Sequence, residues 1–212
     1  MEETKEVTNT KTSPALKRIH RAALGLFAEK GAVQVNVSEL AQAADVARGT
    51  IYNNLNSTDL LFEQVASQLE AEMHQRIAKS FATVADPAQR MANGIRFFIR
   101  RAHEEPDWGR FFVRFAFSSL ALRSLWTGQP ALDLQAGLEQ RRYTFPPEQL
   151  ASALAMASGS VLAAMVLVQE GHKTWREAGS DTAELVLKAL GIDSAEARSL
   201  SLAHLPLLPA TD

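Results

Sequence analysis

The chain is predicted to be all-α, with an N-terminal unit of three helices joined to a larger helical body. Three observations predict it. Apolar residues recur at spacings of three and four through nearly the whole chain. Cap and stop signals cut that pattern into helices of ordinary length. No alternating stretch is long enough for a strand, and the one candidate, residues 33–37, reads more simply as a loop. The 212 residues, 46% hydrophobic and 22% charged with 11 Gly and 8 Pro, suffice for a continuous buried core and exclude wholesale disorder or a collagen-like repeat. There is no Cys, which removes disulfides, zinc ribbons and thiol catalysis together and points to a reducing, cytoplasmic compartment.

Residues 1–13 are polar, lack the apolar stretch of a secretory signal and are expected to form a disordered tail. From Pro14 to Lys30, Ile19, Ala22, Ala23, Leu26 and Phe27 trace one face of a helix that Gly31 should stop. Asn36-Val-Ser-Glu39 has the form of a cap followed three residues later by a Glu able to reach back to it, so a short helix carrying Leu40, Ala41 and Ala44 should begin there. Asp45-Val46 interrupts it, and a third helix runs from Arg48 to Leu55 with Ile51 and Leu55 turned inward. Ser57-Thr-Asp-Leu60 caps a long helix toward Phe81, with Leu60, Leu61, Val65, Leu69 and Met73 on its apolar side. These boundaries divide the chain into a domain at 14–62 and a second at 63–212.

In the second domain, Asp86-Pro87 restarts the chain as a helix, since Asp can cap and Pro is tolerated at the first helical position. Met91, Ile95, Phe98 and Ala102 form its buried stripe. Glu104 to Asp107 breaks it, and Trp108 opens an aromatic helix. Thr127 to Pro130 reads as a loop, Pro130 to Arg142 as a helix, and Phe145 to Glu148 as the start of the next. Between Glu148 and Glu170 lie 21 residues without a charge. Asp181-Thr-Ala-Glu184 has the form of a further cap, before Val186, Leu187 and Leu190.

Two short helices joined by a tight turn and packed on a longer one make a helix-turn-helix, whose second member can enter a major groove about 12 Å wide. Ile51 and Leu55 anchor that member, which frees Arg48, Gly49, Thr50 and Asn53 for base edges and Tyr52 and Asn54 for phosphates. Arg suits guanine, Asn suits adenine, and Gly49 permits close approach. Net charge is −2 overall. Residues 1–62 balance seven Lys and Arg against seven Asp and Glu, so the basic footprint of a nucleic-acid binder is missing.

Gly31, Asn36-Val37, Leu40-Ala41, Ala44-Asp45-Val46, the run Arg48-Gly-Thr-Ile-Tyr52, Leu55 and Asp59-Leu-Leu61 together resemble the DNA-binding domain of the TetR family of transcriptional repressors. The likeness covers about residues 15–62. It implies that Arg48, Thr50 and Asn53 face bases, and that Tyr52 and the amides near Val37 and Ser38 contact phosphate. Three positions depart from the family's usual residues. Asp45 stands for a turn glycine, Leu55 for a phenylalanine, and Thr58 for a lysine that starts the fourth helix and holds a phosphate. The resemblance further implies a ligand-responsive repressor that binds a pseudo-palindromic double-stranded DNA operator as a homodimer.

Beyond residue 65 the resemblance is one of layout: a long connecting helix, helices around a cavity, and two closing helices that bundle with a partner subunit. Those two are expected at Glu148 to Gln169 and Asp181 to Leu190. Ala153, Ala157, Ser160 and Ala164 form a small-residue seam for the dimer, with Val186, Leu187 and Leu190 from the last helix. A core helix of a monomer and a membrane span are the alternatives for the uncharged stretch. Aromatics crowd between positions 97 and 126, so the pocket is expected to comprise Phe97, Phe98, Trp108, Phe111, Phe112, Phe115 and Trp126, with Met156, and with Arg101 and His103 as polar members. A small hydrophobic or aromatic effector follows. No phosphate loop, nucleophile elbow or metal-ligand spacing occurs, so no catalysis, cofactor, metal or membrane is expected. The rival reading is a helical ligand carrier or sensor with no sequence-specific DNA role.

Overall fold

The computed structural model describes residues 13–32, 35–55 and 60–209, with no strand among them. Its contacts group the chain into two compact units that divide between Phe62 and Glu63. In the first unit, α1 (Pro14–Lys30) is capped by Ser13, whose Oγ accepts from the Leu16 N–H, and is stopped by Gly31 at φ 90°. The short helices α2 (Val37–Ala43) and α3 (Arg48–Asn54) pack against α1 and each other. Ile19, Ala23 and Phe27 meet Leu40, Ala41, Ala44, Ile51 and Leu55 in one small core, all buried. Ala22 and Leu26 are half-buried at its edge.

The turn between α2 and α3 works without glycine, because Asp45 takes the left-handed conformation at φ 51°. The start of α2 differs from the expected reciprocal cap. Asn36 accepts from the N–H groups of Ser38 and Glu39, but Glu39 turns away to Lys30, 3.0 Å from its Nζ. An ion pair to α1 thus replaces the return bond. The expected cap at Ser57 to Asp59 lies outside the described residues, as do the tail 1–12 and Val33.

The second unit is built around α5. Helix α4 (Leu61–Phe81) buries Leu61, Val65, Ala66, Leu69 and Met73. Leu60, expected on the same stripe, precedes the helix and is exposed. Helix α5 (Pro87–Glu104) starts at Asp86, whose carboxylate accepts from the Ala88 N–H, and its stripe of Met91, Ile95, Phe98 and Ala102 is buried. Around it stand α6 (Pro106–Phe115), α8 (Gln129–Glu139), α9 (Leu150–Gln169), α10 (Trp175–Ala189) and α11 (Ser194–Leu202), each in contact with α5.

Four boundaries depart from expectation. The aromatic stretch is two helices, because Ser119 caps a new one, α7 (Leu120–Thr127), after a turn at Ala116 to Ser118. Thr127 to Pro130 is no loop, since Gly128 alone separates α7 from α8. Helix α8 ends at Glu139, and Arg141 beyond it has φ 54°. Helix α10 begins six residues before Asp181, where Thr174 and Glu177 form a complete reciprocal cap; Asp181 sits inside the helix, paired with Lys173.

Candidate functional site

Two surfaces can carry function, one in each unit. In the first, α3 buries Ile51 and Leu55 and turns Arg48, Gly49, Tyr52 and Asn53 to solvent, with Thr50 half-exposed. Tyr52 is 65% exposed, a large ring standing in solvent. Val37 and Ser38 lie in the first turn of α2, but the Ser38 N–H donates to Asn36 Oδ1 at 3.0 Å, so of the two expected amides it is Val37's that the cap does not take. Asn54 does not belong with the free residues. Its Nδ2 donates to the Thr50 carbonyl at 2.9 Å and its Oδ1 accepts from Ser13 Oγ at 2.8 Å. The side chain therefore ties the end of α3 to the start of α1. Thr58 lies outside the described residues.

The second unit holds a cavity of about 420 Å³. Helix α4 contributes His74, Ile77, Ala78 and Phe81; α5 contributes Arg90, Met91, Gly94, Ile95 and Phe98. Leu125 and Trp126 of α7, Gln129, Pro130 and Asp133 of α8, and Leu154, Ala157, Ser158 and Val161 of α9 complete the wall. Phe98 and Trp126 stack on one another with ring centroids 5.3 Å apart. At Gly94 an added Cβ would come only to van der Waals contact with Phe81, so the missing side chain keeps that part of the space open.

The polar part of the wall is a buried ion pair. Arg90 Nε donates to Asp133 Oδ1 at 2.6 Å, and Gln129 Nε2 donates to the same oxygen at 2.9 Å. Arg90 Nη1 also donates to the carbonyls of Val84 and Ala85. Asp133 is only 2% exposed. Burial pushes its carboxyl above the ordinary range, against the opposing bonds from Arg90 and Gln129.

Of the expected pocket residues, Phe98 and Trp126 line this cavity. The others do not. Phe97, Trp108, Phe111 and Phe112 are fully buried core, Trp108 stacking on Phe112 at 4.8 Å. Phe115 packs beside Phe111. Arg101 is 2% exposed but is held by Glu72 and Glu105 beneath the face of Trp108. His103 is exposed, and Met156 faces outward. Aromatics at helical spacing here fill the core instead of framing a void. His74, Arg90, Gln129 and Asp133 were not foreseen, because they come from three helices and share no spacing.

The residues expected to form the dimer seam are mostly buried inside the single chain. Ala153, Ala157 and Ala164 are buried within the chain, Ala157 in the cavity wall, and Ser160 is half-buried. Val186, Leu187 and Leu190 of the closing pair are buried too. The outer side of α9 is instead Ser152, Ala155, Met156, Ala163 and Leu167, all exposed. On α10 the exposed apolar residue is Leu185, at 66%. Among the described residues no three His, Asp or Glu side chains are grouped to hold a metal ion. Residues 147–169 are long and apolar enough to cross a membrane by length and composition, but one side of α9 packs on α5, α6, α8 and α10.

Known proteins resemble both units. Residues 19–65 match the family model described as bacterial regulatory proteins, tetR family, and residues 86–202 match that described as tetracyclin repressor-like, C-terminal domain. An uncharacterised HTH-type transcriptional regulator of Mycobacterium tuberculosis is 26% identical over 103 residues, 49% of this chain. The chain spans about half the length of that curated relative, 51%. The crystal structure of RolR in complex with resorcinol is 26% identical, with a TM-score of 0.69 over 92% of this chain and 96% of RolR. The fatty acid degradation regulator FadR from Bacillus halodurans, at 19% identity, shares the fold with a TM-score of 0.71, over 86% of this chain and 100% of its own.

Proposed function

The chain belongs to the tetR family of bacterial regulatory proteins, and from that membership we propose a ligand-responsive, DNA-binding transcriptional repressor of the cytoplasm that catalyses no reaction. It acts as a homodimer, each α3 entering one major groove of a pseudo-palindromic operator, with half-sites about 34 Å apart. Arg48, Thr50 and Asn53 read base edges, while Tyr52 and the amide of Val37 hold phosphates. The observation that carries the reading is the exposure of Arg48, Gly49, Tyr52 and Asn53 on a helix whose Ile51 is completely buried. A recognition surface needs a fixed backbone beneath free side chains, and α3 has both.

The cavity supplies the responsive half. RolR, crystallised with resorcinol, shares 26% identity with this chain, which supports a small apolar or aromatic effector in the space walled by Phe98 and Trp126. Helix α4 lends four side chains to that wall and starts at Leu61, within the unit that carries α3. An effector that prefers one placement of α4 shifts the protein away from the DNA-competent state by its difference in affinity for the two. Going from 1:99 to 99:1 takes about 5.5 kcal/mol, shared between DNA and effector.

The test is a selection of duplexes from a random library followed by fluorescence anisotropy on the winner. Arg48→Ala should lose about 1 to 3 kcal/mol of discrimination at one base position in each half-site. Equal affinity for the selected and a scrambled duplex would overturn the reading in favour of a ligand carrier.

A further inference from the structure

Resting on the effector site just proposed, we infer that the cavity takes a neutral ligand of about two aromatic rings bearing a hydroxyl, which donates its proton to Asp133 Oδ2, and that it rejects aromatic carboxylates. Size comes first. A cavity near 150 Å³ accommodates one benzene, so about 420 Å³ is too large for a single small ring. Most of the wall is apolar, and the stacked Phe98 and Trp126 offer flat faces.

Chemistry is set by the buried pair. Asp133 Oδ1 receives both bonds, from Arg90 Nε and Gln129 Nε2, and no hydrogen bond reaches Oδ2. A carboxylate oxygen at the wall of an apolar space, on a residue only 2% exposed, is an acceptor awaiting a donor. The wall's own hydroxyl, Ser158, donates to the Leu154 carbonyl at 2.8 Å, and the nearby buried Tyr143 hydroxyl, which feels the Asp133 charge, makes no hydrogen bond to it. A ligand hydroxyl satisfies Asp133; an ether oxygen does not.

Arg90 does not by itself make an anion site, because its Nε and Nη1 are engaged and only Nη2 has no hydrogen bond among the described residues. Nε holds Asp133 and Nη1 holds the Val84 and Ala85 carbonyls. Swinging it to a ligand carboxylate would strand a buried Asp133 without its partner. A ligand carboxylate left beside Asp133 would meet a like charge in a poorly solvated space.

The experiment is isothermal titration calorimetry of the full chain with 2-naphthol, 2-methoxynaphthalene and 2-naphthoate, matched in rings and differing in the anchoring group. The expected order is naphthol first, the ether about tenfold weaker or more, and the carboxylate about a hundredfold weaker or more. In Asp133→Asn, melting confirmed as cooperative, the naphthoate should gain at least about tenfold relative to the naphthol, because Arg90 is released. Wild-type protein that binds the ether or the carboxylate as well as the naphthol overturns the inference, as does no binding of any of the three. The wild-type series decides even if the variant does not fold. Anisotropy on the selected duplex separates the two readings. Naphthol that binds without releasing DNA counts against the regulatory reading alone. Release driven by the carboxylate counts against this inference alone.

Discussion

Asp86 does two jobs from one carboxylate. It accepts from the Ala88 N–H at the start of α5 and receives Arg142 through Nε and Nη2, both at 3.0 Å. Burial pushes its carboxyl up, but the bonds from Arg142 and the backbone outweigh that and hold it below the ordinary value of 3.8. A carboxyl depressed in the folded state adds stability above its unfolded value, and that stability is lost as pH falls through the folded value. Asp86→Ala should therefore cost about 1 to 2 kcal/mol near neutral pH, and the gap between variant and wild type should narrow on the acid side. Urea unfolding at about pH 7 and about pH 2 checks this; an equal gap at both would remove the charge from the account. The cap itself was readable, because Asp before Pro is a local signal. Arg142, 56 positions away, was not. The same limit hid Asp133 and Arg90, whose partnership exists only once α5 and α8 are side by side.

At the scale of an element, α9 is the most instructive. Its small residues at spacings of three and four predict close packing, and it packs closely, but on its own chain. A helix with no charged residue has nothing to mark its wet side, so periodicity alone could not say which stripe faces out. The first unit was legible for the opposite reason: Lys17, Arg18 and Arg21 flag the exposed side of α1, and Ile51 and Leu55, four apart, are the inward residues of α3. The outward stripe of α9 yields a prediction. Leu167→Glu should convert dimers to monomers in sedimentation velocity while melting stays cooperative, since Leu167 is 39% exposed in the single chain. Ala157→Glu should instead destabilise the fold, placing a charge in the cavity wall. A Leu167→Glu protein that remains dimeric would move the interface elsewhere.

The molecule as a whole carries little charge to attract DNA. Residues 1–62 are electrically balanced, and Lys30 is paired with Glu39. Binding that leans on Tyr52, Arg48 and backbone amides releases few counterions. The logarithm of operator affinity against the logarithm of salt should fall with a slope shallower than about −4 per dimer. A slope near −8 would mean phosphate contacts that the sequence does not suggest.

The uncharged outer stripe of α9 has one more consequence. With neither Lys nor Glu along it, the stripe, if it faces a partner as proposed, adds only the fit of Met156, Ala163 and Leu167 to the choice of companion. A cell holding sibling regulators with equally bland closing helices would form mixed pairs, each reading two unlike half-sites. Co-expression of this chain with such a sibling should produce a third, intermediate species on native electrophoresis.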